Sequence, residues 1–287
     1  MKAKRVLVLG ATGLIGHQVY IYLQEHTDYE LYNIAHRNRL NQSTVLVDVR
    51  NPDEVEAIVR NMAPEVIINC VGLLISGSNR DPASAILTNA YFPHRLKIMA
   101  DTIGARVIQI STDCVFSGRD GQYTEFSPKD GYDIYSKTKA LGEITESPHV
   151  TLRTSVVGPE LRSDGEELFH WFMSQSGTIQ GYTKSFWSGV TTVELAKAVV
   201  WAIDNSVTGL YQLTSGRRIS KFELLCLFKT ETHKRIEIVP VDGKVTDKSL
   251  VDTRRLLNYE IPDYLTMIHD MIGHIRCRKE LYAQYGL

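Results

Sequence analysis

Gly10-Ala11-Thr12-Gly13-Leu14-Ile15-Gly16, set directly behind Arg5-Val6-Leu7-Val8-Leu9, restricts what this chain can fold into more than any other stretch. The apolar run is short and rich in β-branched residues, which reads as a strand buried on both faces. Glycine serves where backbone turns sharply or must approach another group with no Cβ between them. His17 to Gln24 then carry apolar positions at helical spacing. Strand, glycine turn and helix in that order aim unpaired backbone N–H groups and the positive end of a helix dipole at one point, where a pyrophosphate fits. Gly10, Thr12, Gly13, Leu14 and Ile15 would line it. The spacing is Gly-x-x-Gly-x-x-Gly, not the common Gly-x-Gly-x-x-Gly, and a purely structural turn is the alternative reading.

Composition narrows the partners. The 287 residues suffice for one large domain or two small ones. Hydrophobic residues at 43% and charged residues at 23% are ordinary for a water-soluble globular chain. A net charge of −1 gives no electrostatic reason for nucleic acid or an anionic membrane as partner. Cys70, Cys114, Cys226 and Cys277 are scattered, without a Cys-x-x-Cys pair, and read as reduced thiols of a cytoplasmic protein. The histidines form no His-x-x-x-His or His-Glu-x-x-His pattern, so no catalytic metal is expected. The basic start Met1 to Arg5 ahead of Val6 to Leu9 has the outline of a signal peptide, but the apolar run is too short and ends in glycine. No run reaches the ~18 apolar residues of a membrane span.

Tyr29 to Ala35 reads as a second strand, followed by His36-Arg37-Asn38-Arg39. A site for NAD expects an acidic residue roughly 20 positions after the glycines. Counting lands on Glu30, at the wrong end of the strand, because ligands of such sheets lie beyond the carboxyl ends. There the chain offers Arg37 and Arg39, whose guanidinium forks suit a 2′-phosphate. NADP(H) is therefore favoured over NAD(H), with two solvated loop arginines as the alternative. Thr44 to Asp48 reads as a third strand that puts Asp48 and Val49 where an adenine can rest. A helix over 51–61 and a fourth strand over 64–70 follow, and Val71-Gly72 lets the chain pass close to a cofactor. A long helix over 84–103 contains Asn89 and Pro93, and Arg106 to Ser111 is the fifth strand. This alternation marks a parallel doubly wound sheet.

Ser111-Thr112-Asp113-Cys114-Val115-Phe116-Ser117-Gly118 places hydroxyls at the carboxyl end of the fifth strand. Tyr135-Ser136-Lys137-Thr138-Lys139 opens a helix running through Leu141 and Glu143. Tyr135 and Lys139 share one face of it. A phenol of pKa about 10 is a poor proton donor at neutral pH. A neighbouring ammonium lowers that value towards the working range. A helix-surface pair is the alternative.

Gly10-x-x-Gly13-x-x-Gly16, Asn89, Thr112 and Tyr135-x-x-x-Lys139, in that order, resemble the extended short-chain dehydrogenase/reductase superfamily. The stretch from Ser111 to Gly118, Tyr123-Thr124-Glu125, the stretch from Tyr135 to Glu143, and Leu152-Arg153-Thr154-Ser155 resemble, more narrowly, the dTDP-4-dehydrorhamnose reductases and related nucleotide-sugar ketoreductases. The resemblance covers about residues 4 to 205. It implies an α/β, Rossmann-like doubly wound parallel sheet with a smaller C-terminal substrate-binding lobe. The dinucleotide-binding domain is expected over 1–157, with 190–205 returning to it, and the lobe over 158–287. Thr112, Tyr135 and Lys139 are the implied catalytic set. Val71, Gly72, Asn89, Tyr135 and Lys139 join the glycine turn, Arg37, Asp48 and Val49 as cofactor-binding residues, and Asp113, Val115 and Arg153 are expected at the substrate.

The implied reaction is NAD(P)H-dependent reduction of the 4-keto group of a nucleotide-activated 6-deoxy sugar, with dTDP-L-rhamnose synthesis as the first expectation. Sugar-nucleotide dehydratases carry a glutamate where Cys114 stands, and a thiol is a poor base for their ring proton. Val156-Val157-Gly158 lacks the aromatic that reductases usually carry there, which leaves the sugar open. Two rivals remain: an epimerase that retains NAD(H), and a non-catalytic nucleotide-binding subunit. The regulatory subunit of methionine adenosyltransferase, which resembles these reductases, serves in the second way.

In the C-terminal part, the aromatic-rich helix over 167–173 reads as core before ligand platform. Ser220 and Glu223 form a capping box. Arg217 and Arg218 are either a diphosphate grip or solvated. The amphipathic tail from Tyr264 to Tyr285 packs on its own lobe or on a second copy, as in a homodimer.

Overall fold

The computed structural model describes residues 3–254 and 259–287, so Met1 and Lys2 of the basic start lie outside the described residues. The elements begin with β1 (Arg5–Leu9), α1 (Leu14–His26), β2 (Glu30–Ala35), β3 (Val45–Leu46), α2 (Pro52–Met62) and β4 (Val66–Asn69). They continue with α3 (Ile75–Arg80), α4 (Pro82–Ala85), a π-helical turn (Ile86–Tyr91), α5 (Phe92–Thr102), β5 (Arg106–Thr112), α6 (Ile134–Leu141) and β6 (Val150–Thr154). One seven-stranded sheet runs in the order Gly209–Gln212, β6, β5, β4, β1, β2, β3. The neighbours from β3 through β5 pair in parallel. Val6, Leu7, Val8 and Leu9 are all fully buried, as a strand covered on both faces requires.

Two expected elements differ. The third strand shrinks to Val45–Leu46 because Thr44 turns its side chain into the loop before it, where its Oγ1 accepts from the N–H groups of Leu40 and Asn41, both at 3.0 Å. The long helix is not uniformly α-helical: its middle widens to a π turn around Asn89. Pro93 has no N–H to give the Asn89 carbonyl four residues earlier, so an ordinary α ladder is broken there.

The chain divides into two units, Met1–Ser117 with Pro128–Arg153 and Ala196–Tyr211, and Gly118–Ser127 with Thr154–Leu195 and Gln212–Leu287. The first holds the sheet. Gly118–Ser127 goes with the second because Tyr123 N–H donates to Ser249 O and Val251 N–H to Tyr123 O, both at 2.8 Å. The second unit has its own core, in which Phe169 meets Phe228 edge-on at 5.3 Å, so these aromatics are packing residues. The capping box of Ser220 and Glu223 is formed in full. The tail folds as a helix, Tyr264–Arg276, whose Met267, Ile268, Met271, Ile272 and Ile275 are buried, with Ile268, Met271, Ile272 and Ile275 joined in that core by Tyr282 and Tyr285. It packs on its own unit.

In the first unit the strand order reverses between β1 and β4, the switch point at which doubly wound sheets open a crevice. Gly10 lies there with φ +78°, and its N–H and that of Ala11 both donate to Ile34 O at 2.9 Å. A Cβ on Gly10 would stand 3.1 Å from the Cys70 carbonyl carbon, and one on Gly16 only 2.1 Å from Gly10 O. The glycine turn, the first turn of α1 and the end of β4 are therefore in backbone contact. Gly13 caps α1 with no side chain, so that end keeps its N–H groups directed outward. His17, fully buried, donates from Nδ1 to Gly13 O at 2.7 Å, and burial lowers its pKa to about 4.

Two outcomes follow for stability. Gly16→Ala forces backbone apart and is expected to destabilise by about 1–3 kcal/mol, whereas Gly13→Ala, whose added carbon would meet Gly10 O at 3.3 Å, costs much less; urea unfolding of both variants measures this. His17 stays neutral in the folded chain while the unfolded chain binds a proton below pH ~6.5. Its contribution is thus present above that pH and falls by up to about 3 kcal/mol as pH drops through 4. His17→Gln flattens that acid limb in denaturation curves at pH 7, 5.5 and 4.5.

Candidate active site

Asp133 starts α6 by accepting from Ser136 N–H at 2.7 Å on its Oδ1, so the helix begins with Tyr135 in its first turn. Tyr135 and Lys139 stand one turn apart and both are buried. Lys139 Nζ donates to Ile110 O at 2.8 Å, next to the end of β5. Thr112 closes that strand, its Oγ1 accepting from Cys114 N–H at 3.1 Å and donating to Asp113 Oδ1 at 3.3 Å. The end of β5 thus carries an alcohol and holds an ammonium, and the phenol stands one helical turn before that lysine.

Asn89 binds the neighbouring pieces to α6. Its Oδ1 accepts from Leu73 N–H at 2.8 Å, and its Nδ2 donates to Leu73 O at 3.0 Å and Thr138 Oγ1 at 3.2 Å. The side chain is committed to protein partners, which makes Asn89 a positioning residue for the strand β4 exit and the helix. Gly142 ends α6 where a Cβ would stand 1.9 Å from Asn89 O, so the helix and the π turn touch through backbone. A Cβ on Gly72 would lie 3.7 Å from Asn89 Oδ1 and 3.9 Å from Lys139 Nζ, and the exposed Gly72 backbone therefore edges the same cluster.

Burial lowers the Lys139 pKa to about 8 despite the opposing pull of Glu143. Burial also pushes the nearby Cys70 thiol up to about 12, which keeps it protonated. Glu143 is held well inside the first unit. Its oxygens accept from Arg153 Nε and Nη2, both at 2.8 Å, from Ser111 Oγ at 2.7 Å and from Lys129 Nζ at 3.1 Å. Opposed by burial but favoured by these donors, its carboxyl lies below the usual range.

Arg153, expected at the substrate, is 1% exposed, forked onto Glu143 through Nε and Nη2 and set over the Phe116 ring at 5.0 Å, while its buried Nη1 has no hydrogen-bond partner among the described residues. Asp113 and Val115 are buried beside Thr112. Asp48 follows β3 but accepts from Arg50 Nε and Nη2 and faces His36 at 3.3 Å, which holds its carboxyl below the usual range. Val49 is buried and Val71 half-buried. Arg39 bonds the Thr44 carbonyl, whereas Arg37 is exposed at the end of β2 with no ion pair among the described residues. In the second unit, Arg218 pairs with Asp247 and stacks on Phe186 at 4.1 Å. Asp133, Thr138 and Gly142 escaped the sequence reading, although an aspartate just ahead of an apolar helix start is a capping signal.

Among the described residues no group of His, Cys, Asp and Glu can hold a metal ion, and no helix is long and apolar enough to cross a membrane. The residues present do fit a dinucleotide. A side-chain-free helix start faces outward at the switch point, Gly10 and Gly16 leave no room for a Cβ, and a buried ammonium and hydroxyl lie at a neighbouring strand end.

This is the arrangement of a Rossmann-like α/β protein with a glycine turn after its first strand and a Tyr-x-x-x-Lys helix packed on β5. Residues 4–250 match the RmlD substrate binding domain, and the chain belongs to that family. It is 26% identical over 238 residues to methionine adenosyltransferase 2 subunit beta of Xenopus laevis, covering 78% of this chain and 71% of that one. Spore coat polysaccharide biosynthesis protein SpsK of Bacillus subtilis is 24% identical over 243 residues, covering 83% and 82%. In fold the chain is similar to dTDP-4-dehydrorhamnose reductase of Bacillus anthracis in complex with NADP, with a TM-score of 0.81 at 21% identity over 94% of this chain and 99% of that one.

The buried lysine gives a stability signature. Between pH ~8 and ~10.5 the unfolded chain holds a proton that folded Lys139 has lost, so wild-type stability relative to Lys139→Met rises across that window, by up to about 3 kcal/mol. Denaturation of both proteins at pH 7.5, 9 and 10 checks the sign.

Proposed function

We propose that this chain is an NADPH-dependent reductase of the 4-keto group of a nucleotide-activated 6-deoxy sugar, similar in chemistry to dTDP-4-dehydrorhamnose reduction. The observation that carries the reading is Lys139, buried with its ammonium on Ile110 O, one turn from buried Tyr135 and beside Thr112. Gly10, Gly13 and Gly16 at the switch point would hold the dinucleotide, and its reduced nicotinamide would supply the hydride. Tyr135 gives its proton to the ketone oxygen, and the Thr112 hydroxyl donates a hydrogen bond to that same oxygen. With a pKa of about 8, Lys139 is mostly charged at pH 7 and stabilises the phenolate that Tyr135 leaves behind. As pH rises through that value the ammonium is lost, and turnover falls with it. Cys114 beside Asp113 supplies no carboxylate for ring-proton removal, which supports reduction over dehydration. Exposed Arg37 and the NADP held by the Bacillus anthracis relative support NADP(H), while NAD(H) is second.

The match to methionine adenosyltransferase subunits favours one second reading, a regulatory subunit that holds a nucleotide without turning over. A stoichiometric enzyme partner on purification, with no turnover of any keto-sugar nucleotide, would establish that reading instead.

Loss of reduced-nicotinamide absorbance on adding a dTDP-4-keto-6-deoxy sugar tests the reductase directly. Tyr135→Phe is expected to lower kcat by about 10²-fold or more with NADPH binding retained, and Thr112→Val by about 10-fold or more. A Tyr135→Phe protein that turns over like wild type would remove the proposed acid.

A further inference from the structure

Behind Lys139 lies a second line of charge that the proposed chemistry does not use. Glu143 lies just past Gly142 at the end of α6 and receives Ser111 Oγ at 2.7 Å, Arg153 at 2.8 Å through two nitrogens, and Lys129 Nζ at 3.1 Å. Ser111 lies between Ile110, whose carbonyl holds Lys139, and Thr112. Lys129 is the outermost member, with its side chain 38% exposed, and it also donates to Ala140 O at 3.0 Å on α6. We propose that Lys129, Glu143 and Arg153 form a charge chain that sets the protonation of Lys139, with surface residue Lys129 as its adjustable end and Glu143 as the positioning residue.

The groups around Lys139 make the direction of each effect definite. On its own helix stands Tyr135, from the segment just past that helix comes Glu143, from the end of β4 comes Cys70, and from β5 come the Ile110 carbonyl and, by way of Glu143, the Ser111 hydroxyl. Cys70 is kept protonated by burial, so Glu143 is the anion that favours charged Lys139. Arg153 from β6 and Lys129 from the loop ahead of α6 offset that anion. Removing the Lys129 charge leaves Glu143 less neutralised and raises the protonation midpoint of Lys139. Removing the Glu143 charge lowers it. A purely structural network would not move the midpoint in opposite directions.

The 13Cε resonance of Lys139 in lysine-labelled, cofactor-free protein, assigned through Lys139→Arg, reads the midpoint directly. Lys129→Gln is expected to shift it up by roughly half a pH unit, and Glu143→Gln to shift it down by at least as much. The alkaline limb of kcat is expected to follow in the same directions with KM little changed. That arm alone rests on the ketoreductase reading; a moved resonance without any turnover would uphold the charge chain and count against the reductase. Glu143→Gln leaves Arg153 as a buried cation without its anion; should it fail to fold, Lys129→Gln decides alone. A Lys139 midpoint unmoved or lowered in Lys129→Gln overturns the proposal.

Discussion

The candidate site depends on one charged nitrogen withdrawn from water. Lys139 gives up hydration for the Ile110 carbonyl and the field of Glu143, and the balance leaves it easier to deprotonate than a surface lysine. Holding an ammonium there requires every neighbouring piece to be fixed. Asn89 binds Leu73 to Thr138, Gly142 brings α6 against the π turn, and Asp133 sets where α6 starts. These contacts cost stability at one buried cation and gain a preorganised strand end, which is how functional sites commonly depart from the most stable arrangement.

Much of the first unit was legible in the chain because its signals are local. An unbroken apolar run such as Val6 to Leu9 has few other solutions than a strand covered on both faces, and the glycines after it answer to backbone contacts with Cys70 and Gly10. Tyr135 and Lys139 were legible from helical spacing. What escaped was set by partners distant in sequence. Arg153 looks like any motif arginine until Glu143, ten positions earlier, is found forked onto it across two elements. The third strand is shorter than its apolar residues suggest: ahead of it the Thr44 hydroxyl serves the loop, and past it Asp48 turns to Arg50. Gly118–Ser127 carried no hint that it pairs with residues near 250.

The second unit is organised by apolar packing more than by strand pairing. Its strands are short, between two and five residues, while its helices converge on an aromatic core containing Phe169, Phe172, Phe228 and Tyr285. Short strands leave weak alternation in a sequence, which is why this half was readable as helices and a capping box and little else. Fold by itself does not choose a substrate.

The chain passes from one unit to the other after Ser117, Ser127, Arg153, Leu195 and Tyr211, and none of these junctions splits it into a complete half. A gene shortened at any single point would deliver at least one body lacking strands or helices that arrive later. Such interleaving binds the two bodies into one inheritance unit: neither is easily lost, borrowed or fused elsewhere without the other. A nascent chain likewise cannot finish its sheet until residues 209–212 have emerged, long after the first strand at 5–9.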